Sequence, residues 1–189
     1  MRRRDLLRQL AAIPVAGFFV AQTSQAAAAA SDGRQDFDFF LGDWTVSAKR
    51  LLHRLTGDQT WEAVTGTTRV RPILQGAGNI DEDEFHLPGG TYVGGMLRLF
   101  DAEKNLWTTY GISRDEGAVE APVSGRFNAG RGEFYGDDQE GGRPIKVRHL
   151  YIKISPDSCR WEQAFSVDGG REWETNWIID FTRMARSAP

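Results

Sequence analysis

The feature that most constrains the fold of this sequence is a succession of short strand patterns that end at Gly, Asp, Asn or Pro. Segments of roughly ten residues with such ends are typical of antiparallel strands joined by tight turns. Alternation is visible within them, since Ile145, Val147, His149 and Tyr151 fall on one face of a strand. We predict ten strands, at residues 44–54, 61–74, 78–86, 92–100, 107–114, 123–128, 132–136, 145–154, 160–167 and 172–184.

This order of elements predicts an all-β fold, a single antiparallel meander β-barrel of about ten strands, because closure removes exposed strand edges. A two-sheet sandwich is the alternative. The only helical segment that we predict is a short turn through Phe37, Phe39 and Phe40, just before the first strand. Residues 31–189 are expected to form one domain, which is long enough to bury a core.

Residues 1–30 have a different composition and the three parts of an export signal. A basic start with Arg3 and Arg4 precedes an apolar stretch at 10–21, and residues 28–30 are all alanine. A spanning helix needs roughly twenty apolar residues, so we expect a removable signal and no stable membrane anchor. The paired arginines resemble the twin-arginine consensus, with an ordinary Sec signal as the alternative. The expected location of the mature protein is periplasmic or secreted.

Charge and cysteine content limit the possible partners. The chain has 23 basic and 26 acidic residues, and four of the basic ones lie in the predicted signal. This acidic balance disfavours nucleic-acid binding, which needs a basic surface. Cys159 is the only cysteine, so no intramolecular disulfide can form, and we predict a buried, unreactive thiol. The three histidines are far apart, and no residue cluster has metal-ligand spacing, so no metal site is predicted. Nothing in the sequence indicates the oligomeric state.

The segment Gly42-Asp43-Trp44 follows the aromatic turn and begins the first strand. It resembles the G-x-W opening of lipocalins and other calycins. In that family the tryptophan closes one end of the barrel, and an arginine from the last strand stacks on it. Arg183 occupies the matching position here, so the resemblance implies a structural contact between Arg183 and Trp44.

Residues 166–173 match the Asp-box pattern S-x-D-x-G-x-x-W. The pattern predicts a hairpin turn in which Asp168 caps backbone amides, Gly170 adopts a positive φ and Trp173 packs beneath. Sialidase propellers repeat such a motif from blade to blade, whereas this chain has one copy. The motif therefore indicates a turn and not a glycosidase.

The two ends of the predicted domain, residues 36–44 and 160–183, are similar to a bacterial family of calycin-like barrels known mainly as a domain of unknown function. The resemblance extends over essentially all of residues 31–189. It implies the fold, but it implies no activity.

Barrels of this type bind ligands in the open cup, among the inward residues of successive strands. Six polar or adaptable residues within otherwise apolar strands are the predicted ligand contacts: Met96, Tyr110, His149, Tyr151, Gln163 and Trp177. Our leading hypothesis is a binding protein for a small, mostly apolar molecule, without a cofactor. A second is a cofactor-independent lyase, isomerase or hydrolase with His149 or Glu84 as general base. A third is haem binding of the nitrobindin sort, with His149 as the iron ligand.

The acidic run at residues 81–84 places two carboxylates on each face of a strand. A pair inside the cup would form an acid/base couple, because mutual repulsion raises the pKa of one member. Burying two like charges is costly, however, so we favour an exposed acidic edge.

Overall fold

The computed structural model describes residues 32–185, which form a closed antiparallel barrel of ten strands. The strands are β1 Gly42–Leu51, β2 Trp61–Ile73, β3 Gly78–Leu87, β4 Gly90–Asp101, β5 Leu106–Ser113, β6 Val123–Asn128, β7 Arg131–Glu140, β8 Arg143–Ile152, β9 Ser158–Ser166 and β10 Glu174–Arg183. Each strand pairs with its neighbours in the chain, and β1 pairs with β10 to close the ring. The predicted all-β meander barrel is confirmed, and the sandwich is excluded.

The predicted export signal at residues 1–30 lies outside the described residues. Between residues 32 and 185, no helix has the length and apolar character to cross a membrane.

One end of the barrel is filled by residues 33–41, which we call the plug. It contains two 3-10 turns, Gly33–Gln35 and Asp38–Phe40. Phe37 is almost fully buried, and its ring meets those of Trp107 and Tyr151 edge-on at 4.9 and 5.1 Å between centroids. Such edge-to-face pairs add to the free energy gained from burying aromatic surface. The short helical turn predicted from the phenylalanines therefore closes the barrel.

Trp44 and Arg183 connect the plug to the first and last strands. Trp44 is fully buried, and its indole Nε1 donates to the carbonyl oxygen of Phe40 at 2.8 Å. The guanidinium of Arg183 lies 4.0 Å from the centre of the Trp44 ring. The same guanidinium donates to the carbonyl oxygens of Leu41 and Phe39 at 2.7 and 2.6 Å. One side chain thus holds the tryptophan and two backbone carbonyls at the closed end.

The inward positions of the strands form a continuous core. On β8, Ile145, Val147, His149 and Tyr151 are all at most 7 % exposed, as the alternation predicts. Cys159 on β9 is also buried, and burial raises the pKa of its thiol to about 12. The predicted burial of this thiol is confirmed, and its low reactivity stays a prediction that the raised pKa favours.

The turn between β9 and β10 contains the Asp-box residues. Asp168 accepts hydrogen bonds from the backbone N–H groups of Arg171 and Glu172 at 3.0 and 3.1 Å. Gly170 has a φ of 92°, and its carbonyl oxygen accepts from Nε1 of Trp173 at 2.9 Å. The side chain of Asp168 thus organises the turn.

Strand β7 is longer than predicted, because its ladder continues beyond the apolar core. It pairs with β8 as far as Glu140 and Arg143 through a run of polar residues. The two strands are joined by Gly141 and Gly142, whose φ angles are 57° and 77°, a conformation that glycine adopts without strain. Hydrophobic alternation marks only the part of a strand that faces a core, so it missed this extension.

The barrel wall is weakest between β5 and β6. Only three residue pairs join these strands, between Trp107–Thr109 and Val123–Gly125. The connecting segment, residues 114–122, bonds back to β5 where the N–H of Glu120 donates to the carbonyl oxygen of Gly111 at 2.9 Å. The segment therefore places Glu120 beside the interior of the barrel.

Candidate functional site

A cavity of about 80 Å³ lies inside the barrel, on the inner side of the plug. Its aromatic and apolar lining comes from Phe40, Phe85, Tyr92, Met96, Trp161, Trp177, Ile179 and Phe181, and its polar lining from Asp81, Asp83, Arg98, Glu120, His149, Tyr151 and Gln163. Benzene occupies an engineered cavity of about 150 Å³. Without side-chain movement, the barrel therefore accommodates a molecule smaller than benzene.

Arg98 forms the floor of the cavity and is 2 % exposed. Its guanidinium donates to Asp81, to Oδ1 of Asn79 and to Oη of Tyr151, at 2.6, 3.0 and 3.1 Å. It also lies over the ring of Phe40, 5.1 Å from the centroid. Arg98 is thus a buried cation that the protein itself neutralises and fixes in place.

Asp81 and Asp83 point into the barrel from alternate positions of β3. Asp81 pairs with Arg98 and accepts a hydrogen bond from the backbone N–H of Met96. Asp83 accepts from Oγ1 of Thr68 at 2.7 Å, and among residues 32–185 it forms no salt bridge. Burial, reinforced by the nearby charge of Asp81, raises the pKa of Asp83 well above its usual value. The site therefore contains a carboxyl group that releases its proton reluctantly.

His149 faces the cavity from β8 and is 7 % exposed. Its Nε2 lies 3.3 Å from the side-chain nitrogen of Gln163, and its ring meets that of Trp161 at 4.8 Å between centroids. Burial, together with the positive charge of Arg98, lowers the pKa of His149 to about 3. The imidazole is therefore neutral at ordinary pH and is a poor general base there.

Several buried polar atoms of the lining have no hydrogen-bond partner within residues 32–185. They are Nδ1 of His149 and the indole Nε1 atoms of Trp161 and Trp177. Most buried polar groups in proteins are hydrogen-bonded, and an unpaired one costs roughly 1–3 kcal/mol. Three of these atoms belong to side chains that line the same cavity.

Tyr92, Glu120 and Gly111 line the cavity, and Gly94 lies against the Tyr92 side chain. A Cβ atom at Gly111 would collide with the Glu120 carboxylate, and one at Gly94 would collide with the Tyr92 hydroxyl. Both side chains therefore lie flat over β5 and β4 because these positions lack side chains. Burial raises the pKa of Tyr92 to about 12, so its hydroxyl stays protonated.

Five of the six predicted ligand contacts line this cavity: Met96, His149, Tyr151, Gln163 and Trp177. Tyr110 does not, because it lies between Thr109 and Gly111, whose positions face inward. The two faces of a strand alternate, so Tyr110 projects from the outer face. Whether the five residues contact a ligand stays a prediction.

The acidic run requires a correction. Asp81 and Asp83 lie inside the barrel, so the preferred interpretation of the whole run as an exposed edge is wrong for these two residues. Glu84 lies on the outer face, with its side chain 58 % exposed and its carboxylate 3.9 Å from Nε2 of His86. Glu84 is thus remote from the cavity in which it was predicted to act as a base.

Sequence reasoning missed Arg98 altogether. The sequence nevertheless contains a signal for a buried arginine. Alternate positions of β4 are occupied by Met96, Arg98 and Phe100, so Arg98 belongs to an otherwise apolar strand face. On β3, the buried Phe85 likewise shares its strand face with Asp83 and Asp81, which lie two and four residues before it. An ionisable residue in phase with apolar neighbours predicts a buried charge, provided that a partner is found on a neighbouring strand.

Residues 32–185 contain no group of three His, Cys, Asp or Glu side chains that could hold a metal ion. The other two histidines, His53 and His86, have side chains that are 66 % and 56 % exposed.

No protein-family model matches this sequence, and no curated protein is significantly similar to it. Among solved structures, the S-type phycobiliprotein lyase CPES from Guillardia theta is similar with a TM-score of 0.54 and 11% identity, over 82% of this chain and 97% of that one. A de novo designed fluorescence-activating β-barrel is similar with a TM-score of 0.37 and 13% identity, over 78% of this chain and 95% of that one. The lyase shares the fold, which fits a calycin-like barrel, and membership of the bacterial family of unknown function stays a prediction.

Proposed function

We propose that this protein is an exported barrel that binds a small, mostly apolar molecule in its cavity. The observation that carries the proposal is the combination of aromatic rings and unpaired buried polar atoms around one cavity. A barrel selected only for stability would fill this space with apolar side chains. Binding sites for small molecules have this mixed lining, with apolar walls and a few polar groups that orient the ligand.

The fold supports this proposal only by analogy. The phycobiliprotein lyase is another protein with a barrel of similar fold. Proteins that share a fold carry different functional sites, so the fold does not identify a ligand. The ligand of this chain is therefore argued from its own side chains.

The size of the cavity favours a small ligand over haem. At about 80 Å³ it lies well below the roughly 300–1,000 Å³ of sites for drug-sized molecules. Nε2 of His149 also has Gln163 beside it at 3.3 Å, which leaves little space for an iron atom at that nitrogen. A haem site here would require several lining side chains to move.

A second candidate function is acid/base catalysis, and Asp83 is the observation in its favour. This carboxyl group faces the cavity with a raised pKa, as a general acid working near neutral pH requires. His149 and Glu84 are weaker candidates, the first because its pKa is lowered to about 3 and the second because it lies outside the barrel. Loss of a chemical activity in Asp83→Asn, with binding retained, would support this alternative.

The binding proposal is tested by purifying the full chain after expression with its signal and extracting it for mass spectrometry of small molecules. We expect a compound in near-stoichiometric amount that copurifies with the wild type and is lost from Trp177→Ala, which removes an aromatic wall of the cavity. Trp173→Ala is the matched control, because this tryptophan packs on the outer turn. The proposal is contradicted if no compound copurifies with the wild type, or if Trp177→Ala and Trp173→Ala retain equal amounts of it.

Export is tested separately by cell fractionation. We expect the wild type in the periplasmic or secreted fraction, shortened by about thirty residues, as cleavage before Ser31 predicts. Replacing Arg3 and Arg4 with lysine is expected to retain the protein inside the cell, because the twin-arginine pair is the recognised element. Unchanged export of the double variant would favour a Sec signal.

A further inference from the structure

The unpaired nitrogen atoms of the cavity lining share one hydrogen-bonding role. An indole Nε1 carries a hydrogen and offers no lone pair, so those of Trp161 and Trp177 can only donate. The imidazole of His149 is neutral, and its Nε2 lies 3.3 Å from the side-chain nitrogen of Gln163, which is an amide donor. Nε2 therefore accepts, and Nδ1 carries the hydrogen. The three buried nitrogens of the lining that have no partner within residues 32–185 are thus all donors.

The three side chains that carry these donors form one continuous wall. His149, Gln163 and Trp177 lie side by side across β8, β9 and β10. Trp161 lies two residues before Gln163 on the same face of β9, and its ring is 4.8 Å from that of His149 and 6.0 Å from that of Trp177, between centroids. We call His149, Trp161 and Trp177 the donor wall. All three of its side chains line the cavity, which is therefore the space that they share.

Burial makes the missing acceptor costly. Trp161 and His149 are each 7 % exposed, and the unpaired nitrogen of each is buried. A buried donor without a partner has lost its hydrogen bond to water and gained nothing in return. An acceptor atom brought by a ligand removes that cost, whereas a hydrocarbon or a molecule with donors alone does not. The donor wall therefore favours ligands that carry an acceptor.

The ionisable side chains of the lining are compatible with a neutral ligand. Asp81 is paired with Arg98, so neither of these charges requires a counter-ion from outside. Burial raises the pKa of Asp83 well above its usual value, which favours the protonated carboxyl, itself an O–H donor. Glu120 is exposed, so water solvates its carboxylate, and this charge disfavours an anion. The lining thus calls for an acceptor without a net charge.

We infer that the cavity binds a small neutral carbonyl compound, whose oxygen accepts hydrogen bonds from the donor wall and whose hydrocarbon part packs against Phe85 and Met96. This inference rests on the proposed binding function and adds the hydrogen-bonding class of the ligand to it. A carbonyl oxygen has two lone pairs, so it can accept from two of the three N–H groups. The cavity volume of about 80 Å³ limits the ligand to a handful of non-hydrogen atoms.

The test compares three molecules with the same carbon ring: cyclobutanone, methylenecyclobutane and cyclobutylammonium. They carry an acceptor, no polar group and donors alone, respectively. Each is titrated at neutral pH into protein purified after expression of the full chain. The methyl resonance of Met96 reports entry of any of them, because Met96 lines the cavity. We expect cyclobutanone, and not methylenecyclobutane, to move the indole N–H proton of Trp161 or Trp177 to lower field, as a new hydrogen bond does. Cyclobutylammonium should bind least.

Variants separate the donors from the shape of the cavity. Trp161→Phe keeps an aromatic ring but removes the N–H, and it should lower the affinity for cyclobutanone relative to methylenecyclobutane by about tenfold. Comparing this ratio between variant and wild type cancels the different hydration of the two molecules. Trp173→Phe is the matched control, because that indole donates to Gly170 in the outer turn, and it should leave the ratio unchanged. Trp177→Phe tests the same wall, should Trp161→Phe not fold.

The outcomes distinguish this inference from the binding proposal. If the molecules enter the cavity but cyclobutanone moves neither indole proton to lower field, the cavity binds ligands and the inference about a carbonyl is wrong. An unchanged affinity ratio in both Trp161→Phe and Trp177→Phe, or tighter binding of cyclobutylammonium than of cyclobutanone, also overturns it. If none of the three molecules shifts the Met96 resonance even near its solubility limit, the binding proposal itself is contradicted, and this inference with it.

Discussion

Nη2 of Arg98 lies 2.6 Å from Oδ2 of Asp81, and both side chains are only 2 % exposed. This ion pair lies between the plug and the cavity, because the guanidinium also packs over the rings of Phe37 and Phe40 at 5.3 and 5.1 Å from their centroids. Removing two charges from water is costly, and such a pair persists when further hydrogen bonds complete it. Asn79, Tyr151 and the N–H of Met96 supply these bonds.

Replacing Arg98 with methionine should lower the free energy of unfolding by about 3–5 kcal/mol, because it leaves Asp81 buried without a counter-charge. The measurement is urea denaturation at pH 7. Arg69→Met is the matched control, since Arg69 is exposed on β2, and it should change the free energy by less than about 0.5 kcal/mol. Adding Asp81→Asn to the Arg98 variant should restore part of the loss, and a double variant no more stable than Arg98→Met would contradict this explanation.

His149 should make the barrel sensitive to mild acid. The native imidazole has a pKa of about 3, whereas the unfolded chain takes up a proton near the usual value of 6.5. The stability that the neutral histidine contributes is thus present above pH 6.5 and is lost as the pH falls towards 3. Between pH 7 and 5, the wild type should lose on the order of 2 kcal/mol more than His149→Gln.

The comparison is made by urea denaturation at several pH values, with His53→Gln as a control that removes an exposed imidazole. Equal pH dependence of the wild type and His149→Gln would show that the buried imidazole is not the sensitive group.

Asp83 should have the opposite pH dependence. Its native pKa is raised, so the stability associated with the protonated carboxyl is complete below the unfolded value of 3.8 and is lost as the pH rises through the native pKa. We therefore expect Asp83→Asn to gain stability relative to the wild type between pH 4 and 8. Thermal unfolding at pH 4, 6 and 8 measures the difference, and Glu84→Gln should show no such trend. A constant difference at the three pH values would be evidence against a buried, reluctant acid.

Arg183→Lys should destabilise the closed end of the barrel by about 2–4 kcal/mol. A lysine retains the charge but cannot donate to the carbonyl oxygens of Phe39 and Leu41 while it lies flat on Trp44. Hydrogen exchange of the Trp44 indole N–H, which donates to Phe40, reports opening of the plug. Arg69→Lys is the control, and the same exchange rate in both variants would contradict the structural role of Arg183.

Local sequence patterns were sufficient to predict the strands and their closure into a barrel. Alternation along β8 identified the inward face that contains His149 and Tyr151, because a strand with one buried face must repeat every two residues. The phenylalanines before β1 indicated a short helical turn, though not that it closes the barrel. The G-x-W segment paired Trp44 with Arg183, 139 positions away, and the structure has that guanidinium over the ring. These features follow from the order of residues or from a short motif, and both can be recognised in the sequence alone.

The chemistry of the cavity depended on which strands the barrel brings together. Arg98 looks like a surface arginine until Asp81, Asn79 and Tyr151, from β3 and β8, are placed around its guanidinium. Tyr110 and Glu84 were both predicted to act inside the barrel. Side chains of a strand alternate between its two faces, so an error of one position in assigning the faces was enough to misplace both, and both lie on the outer face.

The sequence by itself determined the ten-strand barrel and its closed end, because alternation and turn residues act locally. Only the tertiary structure decided which charges are buried, because the free energy of burying a charge depends on a partner that lies far away in the chain.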